Sequence, residues 1–135
     1  MALVVTRQAI DRMFAEAEAS HPLECCGLLL GEGDHIREAR PVANVHPDPA
    51  RFFEIDPQTL IDAHRDARAN ASASGPVLVG YYHSHPLGPP EPSATDRAQG
   101  TGDGRVWAIV GERKIAFWRD AKDGFEPLSY SVRHG

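Results

Sequence analysis

The stretch that decides the reading runs Val77-Leu78-Val79-Gly80-Tyr81-Tyr82-His83-Ser84-His85-Pro86-Leu87-Gly88-Pro89-Pro90-Glu91-Pro92-Ser93-Ala94-Thr95-Asp96. Its first part, Val77–His83, is rich in β-branched and aromatic residues and predicts a strand. Side chains alternate along a strand, so His83 and His85 at its end share one face. Pro86–Pro92 holds four prolines in seven residues. Proline fixes φ and donates no backbone hydrogen bond, so this predicts a stiff connection rather than a regular element. Ser93 then opens a short helix over Ser93–Gln99, stopped by Gly100. Ser93 and Asp96, three apart, share its first turn. A histidine pair on a strand end is thus joined to a carboxylate on a helix start with little freedom between them.

Working outward, Ala2–Val5 predicts a short strand and Thr6 a helix N-cap. Ile10, Met13, Phe14 and Ala17 follow at the spacing of one helix face, and Ser20, His21 and Pro22 end that helix. Cys25–Leu30 reads as a buried strand, Gly31, Gly33 and Asp34 as a turn, and His35–Val45 as the returning strand. Pro47 and Pro49 mark a loop, and Phe52–Ile55 is a further strand candidate. Asp56-Pro57 starts a second helix, with Leu60, Ile61, His64 and Ala67 as its buried stripe and Asn70–Gly75 as the loop after it. Val106–Val110, Lys114–Trp118 and Phe125–Val132 predict the closing strands. The fold class is therefore α/β, a mixed β-sheet flanked by helices, with residues 1–135 as a single domain.

The bulk properties exclude several classes. A net charge of −5 and scattered arginines leave no basic stripe for nucleic acid. No apolar run approaches the ~20 residues of a membrane span, and the N-terminal stretch, interrupted by Arg7, Asp11, Arg12, Glu16 and Glu18, lacks a secretory pattern. Cys25 and Cys26 are adjacent, which disfavours a disulfide between them, and no zinc-finger spacing is present. These features predict a cytoplasmic protein with reduced thiols.

Two imidazoles and one carboxylate suit Zn²⁺ and leave its fourth position for water. A competing reading exists for each part. His-x-His alone is a weak signal, and Ser93-x-x-Asp96 is also a helix capping pattern, although one turn can serve both purposes. Spacing does not choose a general base among Glu24, Glu54 and Glu91. The other histidines, His21, His35, His46, His64 and His134, have no partner at ligand spacing and read as surface or packing residues. Trp107 and Trp118 read as core, and one of Tyr81 and Tyr82 faces the core while the other lines a groove.

His83-x-His85, seven residues, Ser93, two residues and Asp96 resemble the signature of the JAMM (MPN-plus, JAB) metallopeptidase family. Pro22-Leu23-Glu24-Cys25-Cys26-Gly27-Leu28-Leu29-Leu30-Gly31 resembles that family's glutamate-bearing strand. Arg51-Phe52-Phe53-Glu54-Ile55-Asp56-Pro57 resembles a segment of its compact bacterial members. The resemblance implies a JAB/MPN-like, cytidine-deaminase-like architecture and one zinc per chain on His83, His85 and Asp96. It also implies Glu24 as general base and Ser93 as helper at the developing oxyanion.

The activity so implied is hydrolysis of a peptide or isopeptide bond at the C-terminal tail of a ubiquitin-like protein. The segment after Asp96 and the loop around His46–Ala50 are short, as in the compact prokaryotic type, which is linked to sulfur carriers ending in Gly-Gly. Two alternatives stand beside this reading: a non-catalytic MPN-type interaction module, and a zinc amidase acting on a non-protein amide. The oligomeric state stays open, with a homodimer as one option.

Overall fold

The computed structural model describes residues 2–73 and 75–134. Strand β1 (Leu3–Thr6) leads into helix α1 (Arg7–Ser20), whose cap is Thr6, its hydroxyl accepting the Ala9 N–H at 3.2 Å. Strands β2 (Cys26–Glu32) and β3 (His35–Val42) form an antiparallel pair, and helix α2 spans Pro57–Ala73. Strand β4 (Val77–His85) is followed by helix α3 (Ala94–Gln99), then by β5 (Val106–Gly111), β6 (Lys114–Ala121), β7 (Gly124–Leu128) and β8 (Tyr130–Arg133). The eight strands make one mixed sheet in the order β7-β6-β5-β4-β2-β3-β1-β8, with β1–β3, β1–β8 and β4–β5 parallel.

Period-two alternation sorts the core onto two faces. Leu29 and Tyr82 point to one side, where Ile10 and Met13 of α1 pack with Leu3, Val5 and Ile36. Leu28 and Cys26 point to the other, where α2 lays down Leu60, Ala63 and Ala67 beside Ile55 and Leu78. Cys26 pairs with His83, and Leu28 with Tyr81, so Tyr81, His83 and His85 lie on the α2 side of the sheet. The central position of β4 places the two histidines where a strand flanked on both sides ends.

Five expectations need correction. Phe52–Ile55 is not a strand; it makes one isolated bridge, Asn44 to Ile55, because the Asn44 side chain occupies Phe52 O and Glu54 N–H. The returning strand correspondingly stops at Val42 rather than Val45. Helix α2 runs on through Asn70 to Ala73; its Asn70 carbonyl then takes the Gly75 N–H, and its carboxamide donates to Pro76 O. Ile61 is 51% exposed, and Ala63 takes its place in the stripe with Leu60 and Ala67.

The last correction concerns closure. Phe125–Val132 is not one strand: β7 pairs with β6 and β8 pairs with β1, at opposite ends of the strand order, with Ser129 alone between them. The continuous extended segment therefore bends from one end of the sheet to the other and curls it closed. Ser129 O accepts the Leu3 N–H at 2.9 Å, and Tyr130 packs on Phe117 with ring centroids 4.7 Å apart. Among the described residues no helix is long and apolar enough to cross a membrane.

Candidate active site

His83 and His85 arrive from β4 and Asp96 from the first turn of α3. Their donor atoms converge. The two Nε2 atoms are 3.2 Å apart, and each lies 3.1 Å from an Asp96 carboxylate oxygen. Among the described residues this is the one group of three His, Cys, Asp or Glu side chains that could hold a metal ion. The spacing fits the chemistry: bonds of 2.0–2.1 Å in a tetrahedron put neighbouring donors about 3.3 Å apart.

Each donor is held from behind. His85 Nδ1 sits 2.9 Å from the carbonyl of Pro89. A carbonyl only accepts, so Nδ1 carries the proton and Nε2 presents its lone pair to the site. The stiff loop thus supplies an orienting group as well as a connection. Asp96 Oδ2 accepts the Ser93 N–H at 2.9 Å, while Ser93 Oγ accepts the Asp96 N–H at 3.0 Å. This is a complete capping box, so the Ser93 hydroxyl caps α3 and keeps its own proton free to donate elsewhere. His83 is buried, its ring stacked on Phe53 at 4.3 Å and met edge-on by Trp107 at 5.8 Å. Its Nδ1 has no hydrogen-bond partner among the described residues.

The three converging side chains respond differently. Burial pushes the Asp96 carboxyl up, but the hydrogen bonds from His83 and His85 win and hold it well below the usual carboxylate range. Burial lowers His83, outweighing the pull of Asp96. Burial also works against protonated His85, yet its bonds to Asp96 and the Pro89 carbonyl leave it raised.

Glu24 opens onto the same cleft as His85, Ser93 and Glu91. It is buried, 8% exposed, and its carboxyl is pushed up to about 7. Lost hydration is the main cause; nearby His85 opposes it and the Asp96 charge adds to it. Glu91 is exposed on the rim, and Glu54 lines a separate cavity with Phe53, Tyr81 and Trp107. Glu24 is therefore the one of the three carboxylates that is both desolvated and coupled to His85 and Asp96.

Glu24 precedes the ladder of β2, which begins at Cys26, and other groups fix its backbone. Its N–H donates to Pro49 O at 2.8 Å, and its C=O accepts from Asn44 Nδ2 at 3.0 Å. The next residue is stitched to β4: Cys25 N–H donates to Ser84 Oγ at 2.9 Å, and Ser84 N–H returns to Cys25 O at 3.1 Å. The residue between the two histidines thus faces the opposite side and ties down the glutamate segment.

Several contributors act in roles that the sequence does not reveal. Asn44, Phe53 and the Pro89 carbonyl act through contacts that only the folded chain creates. Trp107 is buried, as expected, but it packs on His83; Trp118 anchors the proline loop by donating its indole N–H to Pro90 O at 3.1 Å. Tyr82 is the core-facing tyrosine, and Tyr81 lines the Glu54 cavity beside His64, 3.4 Å away. His46 accepts the Asp48 N–H and packs on Phe52. Cys25 and Cys26 are free and buried, and burial pushes the Cys26 thiol up to about 12.

Comparison with known proteins places these features in a family. Residues 6–121 match the family of prokaryotic homologues of the JAB domain. A desampylase of Haloferax volcanii is 36% identical over 119 residues, covering 86% of this chain and 83% of that protein. A probable TtuB-protein conjugate cleaving protease of Thermus thermophilus is 32% identical over 96 residues, covering 71% and 62%. The solution structure of a Desulfitobacterium hafniense protein superposes with a TM-score of 0.80 at 28% identity, covering 98% and 94%. The chain belongs to the prokaryotic JAB-domain (JAMM) family and is a hydrolase.

Proposed function

We propose that the protein is a zinc-dependent metallopeptidase that hydrolyses a peptide or isopeptide bond at the C-terminal tail of a ubiquitin-like, sulfur-carrier-type protein. The carrying observation is the convergence of His83, His85 and Asp96 beside the buried Glu24 carboxyl and the Ser93 hydroxyl. The relatives named as a desampylase and a conjugate-cleaving protease support the substrate class.

His83, His85 and Asp96 hold one zinc ion. Zinc, when bound, supplies a water of pKa near 7 and Lewis acidity toward a carbonyl oxygen. Glu24 takes the proton from the attacking water and returns it to the leaving amine. Its burial keeps its proton affinity near that of a group working at neutral pH. Ser93 donates its free O–H to the carbonyl oxygen as negative charge grows there. The Pro89 carbonyl holds His85 in the ligating tautomer, and the Ser93 N–H holds Asp96. No covalent intermediate is needed, and the buried thiols of Cys25 and Cys26 take no part. A Gly-Gly tail, lacking side chains, suits close approach of a scissile carbonyl to such a recessed centre.

The test is incubation of the zinc-loaded protein with a ubiquitin-fold sulfur carrier bearing a C-terminal extension, read by intact mass. The expected product is the carrier ending at Gly-Gly plus the released extension. Cleavage by rigorously metal-free protein would overturn the mechanism, and an uncut carrier would overturn the substrate class.

A further inference from the structure

The glutamate that the proposed mechanism needs lies outside the sheet ladder, so something else must fix it. We propose that Asn44 is a positioning residue that clamps Glu24 and the Phe53 segment into one arrangement, setting the base and the ring behind His83 together. This rests on the reading of Glu24 as the base.

The Asn44 carboxamide is fully used. Nδ2 donates to Glu24 O at 3.0 Å and to Phe52 O at 2.9 Å, while Oδ1 accepts the N–H of His46 and of Glu54, both at 3.0 Å. A carboxamide offers two donors and two acceptor sites, so all four are committed to backbone groups on three different segments. Backbone bonds within the 44–55 loop, Val45 N–H to Glu54 O and the Arg51 and Phe52 N–H groups to Asp48 O, shape its turn, and the Asn44 side chain joins both of its arms to Glu24 O. The same loop sends Pro49 O to the Glu24 N–H and lays Phe53 on His83 at 4.3 Å. Loss of the carboxamide would leave the Glu24 and Phe52 carbonyls without their side-chain donor and free both segments to shift. Displacement of a reacting group by about 1 Å costs up to roughly 100-fold in rate. Asn44 touches no reacting atom and acts through Glu24 and Phe53.

The test uses full-length zinc-loaded protein and two variants. Asn44→Ala removes all four bonds; Asn44→Asp keeps an acceptor for His46 and Glu54 and removes the donors to Glu24 and Phe52. Amide hydrogen exchange needs no substrate. Exchange at Glu24, His46 and Glu54 is expected to rise at least ~10-fold in Asn44→Ala, with β5 and β6 protected as before and about one zinc per chain retained. With the extended carrier as substrate, kcat is expected to fall roughly 10- to 100-fold with KM within about twofold. In a Glu24→Gln background, adding Asn44→Ala is expected to cost clearly less turnover than it does in wild type, because the part that acts through the Glu24 carboxylate is already lost.

Unchanged local exchange would overturn the proposal, as would equal losses of kcat with and without Glu24. If neither variant keeps zinc and a cooperative unfolding transition, Asn44 supports the whole fold and the positioning role also falls. Full turnover of Glu24→Gln alone would instead reject Glu24 as the base, while the exchange measurement still judges the clamp.

Discussion

At the residue scale the informative atoms are the Glu24 carboxyl and the Ser93 hydroxyl. In the metal-free protein Glu24 holds its proton up to about pH 7, against 4.5 when unfolded. Its contribution to stability is therefore fully present below about pH 4.5 and is lost as pH rises through 7. Glu24→Gln removes this loss. Metal-free variant and wild type are expected to unfold together near pH 4, and the variant to be the more stable above pH 7. Thermal scans across that range check it; parallel curves would show that the buried carboxyl is not the source. The same variant is expected to bind zinc normally and lose nearly all turnover, and full activity would move the base to Glu91. For Ser93→Ala, the capping box predicts a stability loss of about 1 kcal/mol. An oxyanion donor predicts, in addition, a fall in kcat of roughly two to three orders of magnitude. A normal kcat with the stability loss alone would reduce Ser93 to a cap.

At the scale of elements, the proline loop shows how the site is built. It is seated against the end of β5: a Cβ on Gly111 would stand 2.4 Å from Gly88 O and 2.8 Å from the Pro89 carbonyl carbon. Backbone, not a flexible side chain, would have to move. Gly111→Ala is expected to push Pro89 O away from His85 Nδ1 and loosen that imidazole. Loss of an outer-shell partner of this kind typically weakens metal affinity 10- to 100-fold. Competition with a zinc chelator measures this, and an unchanged Kd would mean that the carbonyl does not orient the ligand. The loop's other anchor is the Trp118 indole on Pro90 O, from the neighbouring strand β6, where Trp118 pairs with Trp107.

Much of this element arrangement was legible beforehand. Strand, stiff loop and helix start follow from β-branched residues, prolines and a capping serine, which act locally. Where the reading failed, the cause was nonlocal. Phe52–Ile55 has a strand's composition, but its hydrogen bonds go to the Asn44 side chain. Phe125–Val132 has a strand's composition too, and nothing local says that its halves pair with β6 and β1. Ile61 fits the stripe by spacing, but α2 packs Leu60, Ala63 and Ala67 on the sheet and leaves Ile61 outward. Likewise His83, His85 and Asp96 form a pattern within fourteen residues, whereas Asn44 serves Glu24 from twenty residues away.

At the scale of the whole molecule, the site links protonation, metal and stability. Helix α3 and β4 are held together at the ligands by His83, His85 and Asp96, so an ion bound there joins two elements. Binding to the folded state alone raises stability by RT ln(1 + [L]/Kd), roughly 2.7 kcal/mol when free zinc is 100 times Kd. For a chain of this size that is on the order of 10 °C in Tm. Coordination requires lone pairs on both Nε2 atoms, so protons compete. Burial keeps His83 neutral, and Asp96 stays ionised well below the usual range, so neither resists near neutral pH. His85 is the competitor, because its bonds to Asp96 and Pro89 raise its proton affinity. As a raised group it stabilises the metal-free fold at low pH, and that contribution fades as pH rises through its folded pKa. Under the proposed function, zinc would then take over the role. The increment in Tm on adding zinc is accordingly expected to grow as pH rises through the raised folded pKa of His85, with net proton release on binding that calorimetry in buffers of different ionisation heat detects. In a His83→Ala, His85→Ala double variant both the increment and the proton release are expected to vanish. A zinc increment that is flat with pH, or that survives in the double variant, would place the ion elsewhere on the molecule.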